Sequence, residues 1–227
     1  MITKPILCFI GARHGETRYT GTFPDLTEEG VRQSQDAARA ISRWIQAYGI
    51  SPADISIVSS PAPRARGTAE VIKEMLTLTG DVVIDPALSP MAWRDSERCR
   101  AALGGFSGRG YIDYETEPVF ADPTLFETPS EMRTRSFARL ADRIQVAMRG
   151  EGASYEIAVS HYEVWCHLMA ELFGIVASES EAYRLGETME LAVFPATDDR
   201  VMILGVCRGE QHSMLFDLRE LIFLPTT

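Results

Sequence analysis

The sequence lacks the cysteine pairs, long apolar runs and excess of positive charge that mark several common classes of protein. Its 4 cysteines are scattered along the chain and form no Cys-x-x-Cys pair. They are Cys8, Cys99, Cys166 and Cys207. This spacing argues against a zinc knuckle and a dense disulfide framework, so reduced and mostly buried thiols are expected. No stretch approaches the roughly 20 apolar residues that a membrane-spanning helix needs.

The balance of charge limits the partners that the protein can have. The 227 residues include 32 acidic and 22 basic side chains, which gives a formal net charge of −10. Such a surface repels the phosphates of nucleic acids and an anionic membrane face, so neither is expected as a partner. Any anion site must therefore be a local basic pocket. The apolar run that ends at Ile10 is too short for a signal peptide, so a cytoplasmic location is expected.

Short apolar runs, typical of buried strands, alternate along the chain with segments whose apolar residues recur at helical spacing. With 45% hydrophobic residues, the chain can form a sizeable core. Strands are predicted at 7–10, 55–59, 82–84, 155–160, 189–194 and 201–207, the last two joined by a hairpin turn around 197–200. Helices are predicted at 27–48, 63–78, 130–149 and 162–173. This order predicts a single α/β domain over 1–227, built as a three-layer α/β/α sandwich with a mainly parallel sheet.

The segment at about 88–129 interrupts this pattern. It shows neither helical nor strand alternation, and we interpret it as an irregular insertion. Its aromatic residues favour an ordered lid over a disordered segment. They include Trp93, Phe106, Tyr111, Tyr114 and Phe120. We expect substrate specificity to reside in this insertion.

Arg13, His14 and Gly15 directly follow the first predicted strand, where open α/β sheets place their ligands. An arginine fork matches phosphoryl oxygens, and a neighbouring imidazole can attack phosphorus to form a covalent intermediate. Gly11 and Gly15 indicate a place where the backbone turns tightly or admits a close neighbour, for which a phosphate is expected. On its own the tripeptide is short, and a loop with a stray Arg-His pair is the simpler interpretation.

Two further polar residues follow predicted strands. Arg64 lies in the first turn of the helix after the second strand, where the helix dipole favours an anion. His161 lies at the carboxyl end of the strand at 155–160. The nearby guanidinium groups would lower the pKa of His14 and leave a lone pair for attack on phosphorus. Plainer alternatives are a structural role for His161, and an ion pair of Arg64 with Glu70, with Arg66 as a competitor for the anion site.

Four segments, taken in order, resemble the histidine phosphatase superfamily, also called the phosphoglycerate mutase-like family. They are 13–17 (Arg-His-Gly-Glu-Thr), 26–30 (Leu-Thr-Glu-Glu-Gly), 59–61 with 64–70 (Ser-Ser-Pro, then Arg-Ala-Arg-Gly-Thr-Ala-Glu) and 159–161 (Val-Ser-His). The resemblance is close up to about residue 70 and around 161, and it is weak at 88–126. It implies a phosphoglycerate mutase-like α/β fold.

The resemblance also implies a reaction. The chain would be a metal-independent phosphoric monoester hydrolase that forms a phosphohistidine on His14, with Arg13, Arg64 and His161 holding the phosphate. No cofactor is implied. A small phosphorylated substrate is expected, with a phosphoprotein as an alternative, and the oligomeric state is left open. Thr17 would either donate its hydroxyl to the phosphate or cap a turn.

The chain departs from the family at the residue that usually donates a proton. Where many relatives carry a glutamate, this sequence has Pro90, which cannot act as an acid. Glu163 is a candidate replacement, or else an ordinary glutamate in the first turn of a helix, stabilised by the dipole. Weaker candidates in the insertion are Asp95 and Glu97. Further departures are Thr20, where relatives often have asparagine, and the pair Tyr162-Glu163, where a Gly-Gly pair is common.

Three alternatives to a phosphatase remain. The first is a mutase-type phosphotransferase, which the missing glutamate at Pro90 disfavours because mutases resemble the fuller pattern. The second is a weakly active or non-catalytic module that only binds phosphate. The third is a metal hydrolase using His14, Glu16 and His161, which lacks a compact ligand motif.

Overall fold

A computed structural model describes residues 4–18, 25–105, 113–114, 116–152, 154–175 and 183–225. Thr20, Phe106 and Tyr111, which the sequence analysis singled out, lie outside these ranges. The described strands are β1 (Leu7–Arg13), β2 (Ile55–Ser59), β3 (Val83–Ile84), β4 (Tyr155–Ser160), β5 (Thr188–Pro195), β6 (Arg200–Cys207), β7 (Glu210–Asp217) and β8 (Ile222–Pro225). The described α-helices are α1 (Glu28–Tyr48), α2 (Pro63–Leu76), α3 (Ser96–Gly104), α4 (Pro129–Met148) and α5 (Tyr162–Phe173). None of these helices is long and apolar enough to span a bilayer.

The strands form one mixed sheet in the order β3-β2-β4-β1-β5-β6-β7-β8. Strands β3, β2, β4 and β1 pair in parallel, whereas every pairing from β1–β5 to β7–β8 is antiparallel. The prediction of a mainly parallel sheet is therefore wrong. The last strands follow one another through short turns, and a parallel pairing would need a crossover of a dozen or more residues. The sequence analysis found the hairpin of β5 and β6 but missed β7 and β8.

Helices cover both faces of the sheet, as the alternation of side chains along β1 shows. Leu7 and Phe9 pack in a core with residues of α4 and α5. Cys8, Ile10 and Ala12 face the opposite way, into a second core with α1 and α2. Successive side chains of a strand point to opposite faces, so these two cores make the three layers expected from the sequence.

The described part of 88–129 is more regular than predicted. It contains α3, whose first turn is capped by the Asp95 carboxylate accepting from the backbone N–H of Arg98. Only Cys99 is buried among the residues of α3, so the helix has no apolar stripe by which a sequence pattern could detect it. Phe120 and Phe126 pack in the core beside α4 and α5. That this segment acts as a lid stays a prediction.

The loop after β1 packs backbone to backbone against the start of α1. A Cβ atom at Gly15 would lie 2.3 Å from the carbonyl oxygen of Gly30, and one at Gly30 would lie 2.1 Å from that of Glu16. Thr27 caps α1 by accepting from the N–H of Gly30, and its hydroxyl donates to the Glu16 carboxylate at 2.6 Å. The close neighbour of Gly15 is therefore the backbone of α1, and the phosphate expected at this loop stays a prediction.

A buried ion network attaches α4 to the sheet. Glu156 of β4 accepts from Arg143 at 2.8 Å and also from Arg139, which donates to Asp85 at 2.9 Å. Burial alone would lower the pKa of Arg139, but Glu156 and Asp85 outweigh it and raise that pKa. Arg139 therefore remains charged. The backbone N–H of Asp85 donates to the carbonyl of Ser59, the last residue of β2, so the network also holds the segment around Asp85 beside the carboxyl end of that strand.

The contact of the two glycines predicts an unusual response to alanine. Within a helix, glycine to alanine normally stabilises by about 1 kcal/mol. Gly30→Ala should instead destabilise the protein by about 1–3 kcal/mol, because the new methyl group overlaps the Glu16 carbonyl and either the loop or α1 must shift. Urea unfolding of the variant measures this change.

Gly104→Ala is the matched control, since Gly104 also lies in a helix but a Cβ there would meet nothing within 4 Å. Its stability should be equal to or slightly above that of the unmodified protein. Equal stabilities for Gly30→Ala and Gly104→Ala would show that the backbone contact exerts no constraint.

Candidate active site

His14 lies immediately after β1 and is held in one tautomer. The side chain is buried, and its backbone N–H donates to the carbonyl of Ser160 at the end of β4. Ring atom Nδ1 lies 2.7 Å from the Gly15 carbonyl oxygen. A carbonyl can only accept, so Nδ1 carries the proton and Nε2 keeps its lone pair.

Arg64 contacts both histidines. It lies in the first turn of α2, and its Nε donates to Nε2 of His14 at 3.0 Å. Its Nη2 lies 3.1 Å from Nδ1 of His161. Arg66, the competitor named from the sequence, is exposed. Of these two arginines, the structure therefore brings Arg64 into the site.

His161 is fully buried at the N-terminus of α5, with 0% of its surface exposed. Because a guanidinium can only donate, the contact with Arg64 requires Nδ1 of His161 to accept. The proton therefore lies on Nε2, which donates to the hydroxyl of Ser60 at 2.8 Å. The rings of His14 and His161 meet edge to face, with 5.1 Å between their centroids. Ser60 belongs to the Ser-Ser-Pro segment of the resemblance, but the sequence analysis gave it no role.

Arg13 is fixed at the end of β1 by two groups that the sequence analysis did not single out for this purpose. Its guanidinium donates to the carbonyl of Tyr183 and lies over the ring of Tyr162, 5.4 Å from the centroid. The hydroxyl of Tyr183 donates to the Gly11 carbonyl at 2.8 Å. Burial raises the pKa of Tyr183 well above its usual value, so this hydroxyl stays protonated.

The surroundings keep both histidines uncharged. Burial, followed by the charge of Arg64, lowers the pKa of His14 from 6.5 to about 3, with a smaller effect of Arg13. Burial and then Arg64 also lower the pKa of His161 well below its usual value. The direction agrees with the expectation for His14, but burial is a larger cause than the guanidinium charges. Sequence alone could not show how deeply the ring is buried.

Thr17 and Glu16 both take part in local structure. The Thr17 hydroxyl donates to the carbonyl of Asp25 at 2.7 Å, which favours the turn-capping alternative. The Glu16 carboxylate accepts from the Thr27 hydroxyl at the start of α1, so it does not complete a metal site with the two histidines. In the described ranges, no three His, Cys, Asp or Glu side chains are grouped as metal ligands would be.

Glu163 lies in the first turn of α5, two residues beyond His161. Its Oε1 accepts from the backbone N–H of Met91 at 3.3 Å. The carboxylate is therefore beside the segment that contains Pro90, although the two residues are far apart in sequence. The position is compatible with both alternatives stated for Glu163, a helix-turn glutamate and a proton donor.

A partly buried ion pair holds the same segment, and the sequence analysis did not find it. Arg135 of α4 forms two hydrogen bonds with the Glu127 carboxylate, at 2.7 and 2.8 Å. Arg135 also donates to the carbonyls of Ala87 and Ser89, and Glu127 accepts from the N–H of Ala92. This pair fixes the backbone on both sides of Pro90.

The neutral state of the histidines predicts how stability depends on pH. Below its ordinary pKa of 6.5, His14 takes up a proton in the unfolded chain but stays neutral in the folded protein down to about pH 3. The free energy of unfolding should therefore fall on acidification through this window, by about 1.4 kcal/mol per pH unit for His14. His14→Asn removes this contribution and should flatten the dependence between pH 6 and pH 4. Urea unfolding across this range measures the slope, and equal slopes for both proteins would contradict a neutral, buried His14.

Comparison with known proteins places the chain in a family. The chain matches the family model described as histidine phosphatase superfamily (branch 1) over residues 9–207. A comparison with curated proteins found no match. The fold resembles that of a mycobacterial hydrolase, with 17% identity, a TM-score of 0.60 and coverage of 92% of this chain and 96% of the other.

Two further solved structures share this fold. A mycobacterial glucosyl-3-phosphoglycerate phosphatase in complex with VO3 has 20% identity and a TM-score of 0.55, covering 83% of this chain and 92% of its own. A phosphoglycerate mutase from Bacillus anthracis has 17% identity and a TM-score of 0.53, covering 95% of each chain. At such identities the likeness concerns the fold, whereas the family model spans most of the chain. The protein belongs to the histidine phosphatase superfamily.

Proposed function

We propose that the protein is a phosphomonoester hydrolase that works through a phosphohistidine on His14. The observation that carries this proposal is the lone pair on Nε2 of a buried, neutral His14, which faces the guanidinium shared with His161. A nucleophile, a guanidinium suited to bind phosphoryl oxygens and a second imidazole thus meet at one point. Arg13 is the residue before His14 and adds a second guanidinium.

In the first step, the phosphoryl group of the substrate attracts the donors of Arg64 away from the imidazoles. Nε2 of His14 then attacks phosphorus, so that an N–P bond forms while the P–O bond to the leaving group breaks. The leaving oxygen takes up a proton from an acid. Negative charge spreads over the phosphoryl oxygens in the transition state, where Arg13, Arg64 and His161 stabilise it. The Gly15 carbonyl accepts from Nδ1 and disperses the positive charge that develops on the ring.

In the second step, water attacks phosphorus and the N–P bond breaks. The group that protonated the leaving oxygen now acts as a base and removes a proton from this water. Inorganic phosphate is released and His14 regains its lone pair. Arg64 can then return to its hydrogen bonds with both imidazoles.

Glu163 is the proposed acid and base. Its contact with the N–H of Met91 supports this role, because it brings a carboxylate from α5 to the segment where relatives supply a glutamate. The ion pair of Arg135 and Glu127 holds that segment in place. Pro90 itself cannot transfer a proton, so the acid has to come from a different element.

Hydrolysis is proposed over phosphoryl transfer between positions of a substrate because the chain lacks the glutamate of the fuller family pattern at Pro90. The expected substrate is a small phosphorylated molecule. A surface with a net charge of −10 makes a nucleic acid a poor substrate. Release of inorganic phosphate separates hydrolysis both from a mutase reaction and from binding without turnover.

The central prediction is a covalent phosphoenzyme at His14. Rapid quenching with a ³²P-labelled phosphomonoester should trap label that is stable in alkali and labile in acid, as expected for phosphohistidine. His14→Ala should abolish both the trapped label and the release of phosphate, because no other lone pair occupies this position. Vanadate, which mimics a five-coordinate phosphoryl group, should inhibit the unmodified protein.

His212→Ala is the matched control, since this half-exposed histidine lies on β7 next to Glu210. It should retain both label and turnover. Full turnover by His14→Ala would refute the proposed nucleophile.

The second prediction of the proposal concerns Glu163 and the leaving group. An alkoxide leaves poorly unless it is protonated, whereas a phenolate of low pKa leaves without help. Glu163→Gln should therefore slow hydrolysis of alkyl phosphates by roughly 10² or more and leave activated aryl phosphates nearly unchanged. A series of substrates with graded leaving-group pKa values measures the contrast.

Glu171→Gln provides the control for Glu163→Gln. Glu171 lies near the other end of the same helix, where it pairs with Arg133 at 2.8 Å. Its replacement should slow alkyl and aryl substrates to the same small extent. If Glu163→Gln leaves the leaving-group dependence unaltered, another group donates the proton or the enzyme works without an acid.

A further inference from the structure

The two histidines of the site are held in opposite tautomers. His14 carries its proton on Nδ1, toward the Gly15 carbonyl, and His161 carries its proton on Nε2, toward Ser60. Both remaining lone pairs point at the guanidinium of Arg64. The site as described is therefore arranged around a cation, while its proposed ligand is an anion.

Replacing the guanidinium by a phosphoryl group affects the two rings differently. The lone pair of His14 is needed, because it attacks phosphorus. The lone pair of His161 on Nδ1 would instead face a phosphoryl oxygen, and two acceptors repel each other. His161 can bind the anion only with a proton on Nδ1, so it must either become a cation or exchange one tautomer for the other.

The surroundings of His161 oppose a cation. The ring is fully buried, and the three guanidinium groups that act on it, those of Arg64 from α2, Arg13 from β1 and Arg135 from α4, all lower its pKa. His14, the other titratable neighbour, stays neutral. A dianionic phosphoryl group would be balanced by Arg13 and Arg64 alone. Exchange of the tautomer adds no charge and avoids the cost of a buried imidazolium.

Ser60 is suited to support this exchange. It is fully buried, and its oxygen accepts both from Nε2 of His161 and from the N–H of Ala62 at 3.2 Å. A hydroxyl can donate as well as accept, and its hydrogen turns to suit the partner. When Nε2 loses its proton, the hydroxyl can donate to it while still accepting from Ala62. A group that only accepts or only donates could serve one tautomer alone.

We propose that Ser60 is a positioning residue that lets His161 change tautomer when a phosphoryl group binds. With Arg64 bonded to Nδ1, as the structure has it, Nε2–H donates to Ser60; with a phosphoryl group bound, Ser60 donates to Nε2, and Nδ1–H donates to a phosphoryl oxygen. Nε2 releases its proton to water and Nδ1 takes one up from water, so neither the charge of the ring nor the number of protons on it changes. This inference rests on the proposed phosphate pocket.

The decisive test is nitrogen NMR of the unmodified, ¹⁵N-labelled protein with and without inorganic phosphate. Two-bond proton–nitrogen correlations report which ring nitrogen carries the proton, and His14→Asn and His161→Asn assign the signals. His161 should change from the Nε2–H to the Nδ1–H form on saturation with phosphate, while His14 remains Nδ1–H. Calorimetry at pH 8 in buffers of different ionisation enthalpy should show no net proton uptake on binding.

Ser60 is then tested by substitution. Ser60→Ala removes the partner of Nε2 in both tautomers, so phosphate affinity alone does not test the role of Ser60. In the phosphate-bound protein, the ¹⁵N shift of the unprotonated Nε2 should move toward that of an imidazole nitrogen without a hydrogen bond in Ser60→Ala, because the donating hydroxyl is gone. Ser60→Thr keeps a hydroxyl and should keep the shift of the unmodified protein. Ser59→Ala is the matched control, because the Ser59 hydroxyl is also buried but donates to the Ser60 carbonyl and not to His161. It should bind phosphate as the unmodified protein does.

Each contrary result has a separate meaning. If phosphate binds but His161 keeps its Nε2–H form, or gains a second proton with uptake of about one proton, the proposal for Ser60 fails and the phosphate pocket stands. An unchanged Nε2 shift in phosphate-bound Ser60→Ala would likewise refute it. If the unmodified protein binds neither phosphate nor vanadate, the proposed function fails, and this inference with it.

Discussion

The hydrogen bonds of one guanidinium to two imidazoles determine the rest of the site. Arg64 can only donate, so His14 and His161 must both present a lone pair to it. The second nitrogen of each neutral ring then carries a proton and needs an acceptor, which the Gly15 carbonyl and the Ser60 hydroxyl supply. Three strand ends, those of β1, β2 and β4, therefore have to lie at fixed distances from a single side chain on α2.

The mixed sheet serves this requirement in two ways. Its parallel part, β2-β4-β1, brings the three carboxyl ends to one edge. Its antiparallel part begins at β5, and the segment before β5 runs back past the site. There the Tyr183 carbonyl accepts from Arg13, and the N–H of Gly186 donates to the His14 carbonyl. Gly186 has a φ of 71°, and a Cβ there would lie 2.7 Å from the carbonyl oxygen of Gln33. The loop before β5 is therefore in close contact with α1.

Sequence reasoning predicted which residues converge where their position along the chain is enough. Arg13, His14, Arg64 and His161 each lie at the carboxyl end of a strand or in the segment after it, and strand ends meet in a parallel sheet, so their convergence could be predicted. It missed Ser60, Tyr183 and Arg135, because each acts through a hydrogen-bond partner far away in the chain and none leaves a periodic pattern. The antiparallel strands β7 and β8 were missed for a related reason: they are partly exposed and alternate weakly. The wrong prediction of a mainly parallel sheet followed from that omission.

Pro90 and Glu163 show how one departure from the family pattern can depend on another. Proline has no N–H, so the first backbone N–H after Ser89 is that of Met91, and it donates to the Glu163 carboxylate. Glu163 already brings one carboxylate to this segment, and a second carboxylate close to it would raise the pKa of one of the two. The site can therefore accommodate a single carboxylate, either from position 90 or from α5, more easily than two carboxylates at once. If Glu163 is the acid proposed above, Tyr162-Glu163 in place of a glycine pair compensates for Pro90: Tyr162 packs under Arg13, and the Glu163 carboxylate contacts the N–H of Met91.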